Sequence, residues 1–250
     1  MNAGEILLEV LRNEMVESVH SGHLLILGVD GKEIVRIGDI DQLIYPRSAV
    51  KSLQASAMLR AGLKLSAPQL ALACASHAGS PAHLEMARST LASVGLDENA
   101  LRNTPDKPLD PVERAAWGSK APTSLAANCS GKHAAMVATC KTNGWDLESY
   151  KSPDHPLQKA IKEEFERLSG EKNTKVGVDG CGAALFAISL GALALAIRNL
   201  TLSQESIHQE VIDACRTNPV MVSGIGRLPT VLMEKVPGLR SEEHTSELQS

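Results

Sequence analysis

Asp30 and Gly31 stand between two apolar runs, HLLILGV at residues 23–29 and EIVRIG at residues 33–38. Both turn positions tolerate positive φ, so the pattern predicts a β-hairpin. The chain after it is written in a different period. Residues 48–63 follow Pro46 with helical spacing and few breakers, which predicts a helix. Further helices are predicted over 81–94, ending at Gly95, and over 128–142, 155–168, 183–200 and 204–218. Residues 68–74 are short and apolar, consistent with a helical turn or a buried strand. Residues 175–178 read as a short strand leading into a turn at 179–182. Residues 97–122 are rich in Pro and charge and read as a long excursion. Residues 5–15 carry apolar side chains at both helical and strand-like intervals, so their type is open. A hairpin followed mostly by helices, without repeats or low-complexity linkers, predicts one α+β domain with helices around an antiparallel sheet. Trp, Tyr and Phe number two each, so its core has to be built from Ala, Leu, Ile and Val.

Charge and apolar content exclude several classes. The net charge is -4 and the pI about 6.1, which suits neither nucleic acid nor an anionic membrane as partner. Aromatic platforms for base stacking are too few. The most apolar stretch, residues 183–197, is shorter than the ~20 residues a membrane helix needs and reads as a buried helix. The N-terminus is charged within its first five residues and lacks the apolar centre of a secretion signal. Cys74, Cys129, Cys140, Cys181 and Cys215 make an odd number. With no secretion signal, this points to reduced thiols and a cytoplasmic protein.

The string RSEEHTSELQS at residues 240–250 reads, codon by codon, as the translation of a common sequencing-library adapter. The natural domain is therefore expected to occupy residues 1–239 and to stop while still incomplete.

Four fragments could carry chemistry. In Ser48-Ala49-Val50-Lys51, residues three apart share one helix face. Lys51 can thus reach the Ser48 hydroxyl, and a neutral amine there would act as its base. The plainer alternative is a helix-capping serine and a solvated lysine. Cys74-Ala75-Ser76-His77-Ala78-Gly79 ends an apolar run with polar residues, as a segment facing a pocket or as turn chemistry. Asn128-Cys129-Ser130-Gly131-Lys132-His133 crowds a thiol and an imidazole at a Gly turn before a helix. Asp179-Gly180-Cys181-Gly182 is a tight turn. Cys129 and Cys181 could share zinc, or each could be a small buried hydrophobe.

Taken in order, PRSAVKSLQ, CASHAGSPAH, NCSGKHAAM, PDHPLQKAI, VDGCGAALFA and VSGIGRL resemble the L-asparaginase II family, over roughly residues 10–239. The resemblance implies a glutaminase- and serine-β-lactamase-like fold, a mixed sheet with surrounding helices, and a homodimer. It implies hydrolysis of L-asparagine to L-aspartate and ammonia by two Ser-Lys pairs. Ser48 and Lys51 match the first pair. Ser76 matches the serine of the second, whose lysine is expected beyond Leu239. Cys129, Lys132 and Cys181 match zinc ligands, with zinc expected to tune substrate binding more than chemistry. Arg47, His133 and Asp179 match polar positions of the substrate pocket. Ser80 stands where many relatives carry Glu, which puts a substrate contact from that position in doubt. Either Ser48 or Ser76 could be the nucleophile. A penicillin-recognising serine hydrolase, a glutaminase and a non-catalytic zinc- or amino-acid-binding fragment are the alternatives.

Overall fold

The computed structural model describes residues 4–172 and 174–240. The adapter-like tail, apart from Arg240, lies outside the described residues.

Strands occupy the first part of the chain. β1 (Glu5–Arg12) and β2 (Met15–Gly22) form an antiparallel hairpin. Its turn is Asn13-Glu14, with φ of 48° and 67°, a left-handed pair without the glycine that usually marks it. β3 (Leu24–Leu27) and β4 (Glu33–Ile37) form the hairpin predicted around Asp30-Gly31. Its loop is wider than two residues. Gly28 N–H donates to the Lys32 carbonyl at 2.8 Å, and Gly31 alone in the loop takes a positive φ, 82°. β5 (Leu43–Ile44) pairs with β8 (Ile188–Ser189), and β6 (Val176–Val178) with β7 (Ala184–Phe186). Among the described residues the strands thus make four separate antiparallel pairs, not one mixed sheet. The fold is α+β, but its helices pack mainly on one another.

The helices are α1 (Lys51–Arg60), α2 (Ala67–Ala73), α3 (Pro81–Ala92), α4 (Pro111–Trp117), α5 (Ser130–Asn143), α6 (Pro156–Ser169), α7 (Leu190–Leu202), α8 (Ser206–Thr217), α9 (Pro219–Val222) and α10 (Leu228–Lys235). The open reading of residues 68–74 resolves as helix. Ser66 and Gln69 form a capping box there, with Pro68 in the first turn. The predicted helix over 183–200 begins only at Leu190. Residues before it form β7 and β8, and the Ser189 hydroxyl caps α7 by accepting from Ala192 N–H at 3.1 Å. The excursion at 97–122 contains α4, capped by Asp110, and a bridge between Asp106 and Thr123.

The core lies among α1, α2, α5, α6 and α8. α1 buries nine of its ten residues and α5 eleven of fourteen, as helices without a polar face must. Their alanines let axes approach closely. A Cβ on Gly131 would stand 2.5 Å from the Leu72 carbonyl oxygen, so α5 can start against α2 only with glycine there. Glu164, buried on α6, accepts hydrogen bonds from Arg60, Arg167 and Ser56 and meets His208 at 2.9 Å. Burial alone would raise its carboxyl. Bonds from Arg60, His208 and Arg167 outweigh that and hold it at about 2. The cluster ties α1, α6 and α8 together. No helix among the described residues is long and apolar enough to cross a membrane.

Candidate active site

The chain turns into α1 through a 3-10 turn, Arg47–Val50. Arg47 adopts φ of 50°, a conformation that costs a non-glycine residue energy and often marks a functional site. Ser48 is buried in this turn, and Lys51 is buried at the first residue of α1. The Lys51 amine donates to the Ser76 hydroxyl at 2.7 Å and to the Ala75 carbonyl at 2.7 Å. Ser76 follows the end of α2 and is itself buried. Lys51, expected to serve Ser48, therefore also holds the second serine. This contact spans 25 residues and no local spacing announces it.

The segment after Ser76 is fastened on two sides. His77 N–H donates to the Asn128 carbonyl at 3.0 Å, and Ala78 N–H to the Ser223 carbonyl at 2.7 Å. A Cβ on Gly224 would meet the Ala78 Cβ at 2.6 Å, so the VSGIGRL segment closes on this turn only through glycine. The His77 ring lies 3.0 Å from the Ser130 hydroxyl through Nε2 and stacks on His83 at 5.0 Å. Burial, then the neighbouring His83 and Lys51, lower its basicity well below the usual histidine value.

The third and fourth fragments meet beside this turn. The ligand atoms of Cys129, His133 and Cys181 lie within 4.8 Å of one another. Lys132 donates to the Cys181 sulfur at 3.2 Å and stands 3.8 Å from Asp179. Cys181 Sγ also lies 3.3 Å from the Asp179 carboxylate. The hydrogen bond from Cys129 pulls the Cys181 thiol far down, and Lys132 adds to this against the effect of burial. Cys129 moves up in response. The two thiols are thus driven in opposite directions, Cys181 toward the charged form. Lys132 stays charged because Cys181, Cys129 and Asp179 outweigh its burial. Burial raises the Asp179 carboxyl, which Lys132 and Arg47 partly offset. His133 Nδ1 sits 2.7 Å from the Tyr150 hydroxyl, while its buried Nε2 has no hydrogen-bond partner. An orphaned imidazole nitrogen facing two sulfurs, its other nitrogen held, is the donor arrangement zinc takes.

One cavity of about 210 Å³ connects these parts. Of the sequence-predicted residues, Arg47, Ser48, Lys51, Cys129, Asp179 and Cys181 line it. Ser76 lies behind Lys51, and Lys132 and His133 lie behind Cys181. Arg47 Nε meets Asp179 at 3.2 Å across the wall. Thr104, Asp106 and Asn128 also line it. Asn128 lay within a recognised fragment. Thr104 and Asp106 come from the aperiodic excursion, where no spacing rule singles out a residue. Ser80 is not on the cavity wall. Its hydroxyl is 2.8 Å from His83 Nδ1, and together they cap α3.

A buried lysine clamped to a serine, beside a second serine on the wall of a small polar cavity, is the equipment of a hydrolase. The model of the L-asparaginase II family matches residues 8–241. The chain belongs to that family and is an amidohydrolase. No curated protein matches the chain.

Proposed function

We propose that the protein hydrolyses L-asparagine to L-aspartate and ammonia, with Ser48 as nucleophile and Lys51 as its base. The observation that carries this reading is the pair of hydrogen bonds from Lys51 to Ala75 and Ser76. These bonds fix the amine beside the cavity wall, and Ser48 stands three residues earlier on the same turn and the same wall, where a neutral Lys51 would act as its base. Ser76, reached only through Lys51, holds the amine in place.

Ser48 Oγ attacks the side-chain amide carbon as its proton passes to Lys51. Lys51 then returns the proton to the leaving ammonia, and water cleaves the aspartyl ester by the reverse route. Backbone N–H groups at the start of α1, or near Cys129–Gly131, would hold the oxyanion. The donor set fits zinc, with Cys129 and Cys181 as sulfur ligands and nitrogen from Lys132 or His133. Zinc there would supply positive charge that strengthens binding of the substrate's carboxylate. The same reading makes the enzyme a cytoplasmic homodimer, which gel filtration checks. Hydrolysis of glutamine is the neighbouring reading, since one methylene in a pocket is worth only ~1–3 kcal/mol.

Ammonia release from L-asparagine tests the proposal, using this chain and the chain extended by the closing segment of a family member. Ser48→Ala should abolish release from whichever of the two is active. Release that survives Ser48→Ala and vanishes in Ser76→Ala would reverse the roles of the serines.

A further inference from the structure

Two carboxylates face the cavity, Asp106 and Asp179. Asp179 is matched from within the protein. Asp179 meets Arg47 at 3.2 Å and Lys132 at 3.8 Å, and one of its oxygens accepts Gly180 N–H at 2.8 Å. Asp106 is more loosely held. Its Oδ1 accepts from Lys107 N–H at 2.7 Å and pairs with the Arg114 guanidinium at 3.6 Å, a half-exposed ion pair without a hydrogen bond. Its Oδ2 accepts no hydrogen bond among the described residues.

The backbone of Asp106 is nonetheless fixed. Asp106 N–H donates to the Thr123 carbonyl at 3.2 Å, and Thr123 N–H returns a bond at 3.0 Å. A carboxylate held at a cavity rim with an oxygen to spare is placed to receive a cation. An α-amino acid brings one charge of each sign. Arg47 suits its α-carboxylate, and its α-ammonium requires an anionic oxygen that no hydrogen bond already occupies.

We propose that Asp106 binds the α-ammonium group of the substrate and so restricts the site to α-amino acid amides. The inference rests on the asparaginase reading and names the residue that selects its substrate class. Asp106 is a binding residue, reaching neither the reacting amide nor Lys51.

L-Aspartate and succinate separate the two questions, since they differ only in the ammonium group. Titration calorimetry on the chain should find L-aspartate bound about tenfold tighter, as one partly exposed charge-assisted hydrogen bond allows. Asp106→Asn should bring the two affinities together while succinate binding stays equal or improves. Arg114→Gln removes the competing guanidinium and should enlarge the preference. A preference that survives in Asp106→Asn, or does not grow in Arg114→Gln, overturns the proposal. The second variant decides the matter even if the first fails to fold. Equal binding of the two ligands by the unsubstituted chain also overturns it. Binding of neither ligand overturns the asparaginase reading along with it.

Discussion

Two buried charged clusters lie a short way apart, both anchored on α1. Around Glu164, every charge is answered. Two guanidinium groups, a histidine and a serine share one carboxylate. The region around Lys51 differs. Ser48 and Lys51 line a cavity, and among the described residues the buried His77 Nδ1 and His133 Nε2 have no hydrogen-bond partner. Burial of charge therefore does not by itself mark chemistry. A closed network holds helices together, whereas incomplete satisfaction beside a cavity leaves groups with something to bind or transfer.

The largest effect expected to separate the clusters comes from Lys51→Met. It should reduce ammonia release from the active form of the enzyme on the order of 10³-fold or more, as loss of a base in a nucleophile–base unit does. Initial rates check the loss, and circular dichroism should show an unchanged fold. Glu164→Gln should do the reverse. It leaves two arginines facing a neutral amide and should cost about 2 kcal/mol in urea unfolding, discounted because both arginines are partly exposed. Activity per folded molecule should not change. If Glu164→Gln lowers kcat instead, the division between the clusters fails.

Acidity probes the same cluster without mutation. The Glu164 carboxyl sits at about 2 in the folded chain against an ordinary value of 4.5, so folding favours its charged form. That stability is complete above about 4.5 and is lost as pH falls toward about 2. Unfolding free energy should drop over this window, and the drop should shrink in Glu164→Gln.

Metal binding sharpens the description of the open cluster. Zinc at 100 times its dissociation constant should raise stability by about 2.7 kcal/mol, read as a higher melting temperature that a chelator reverses. Cys181→Ser should remove the shift. A shift that survives in both Cys181→Ser and Cys129→Ser places the ion elsewhere. The smallest effect is expected at Ser80. Glu in its place should alter α3 stability by about 1 kcal/mol or less and leave KM unchanged, because the residue caps a helix away from the cavity. A changed KM would bring that residue back into the pocket.

The parts of the fold legible in sequence are those with one dominant period. The hairpin around Gly31 and the helices now seen as α1, α3, α5, α6 and α8 declared themselves in this way. Residues 183–200 did not, because an unbroken apolar run fits a buried strand and a buried helix equally. The turn at Asn13-Glu14 lacks glycine and gave no signal. In the site, three turns announced reactive residues; the cavity brings together two of them, at Cys129 and Cys181, with Ser48 and Lys51, and Ser76 of the third joins through Lys51. Lys51 meeting Ser76 was hidden, since a contact 25 residues apart belongs to helix packing. Asp106 was hidden too, because the segment that presents it has no period to read.

The central claim is that Lys51 is the base for Ser48 and is held by Ser76. A diazoketone analogue of L-asparagine traps an activated nucleophile, and peptide mass mapping then locates the adduct. The account predicts label on Ser48, lost in Lys51→Met and weakened in Ser76→Ala. Label on Ser76 in the unsubstituted chain, or full labelling of Ser48 without Lys51, would contradict it.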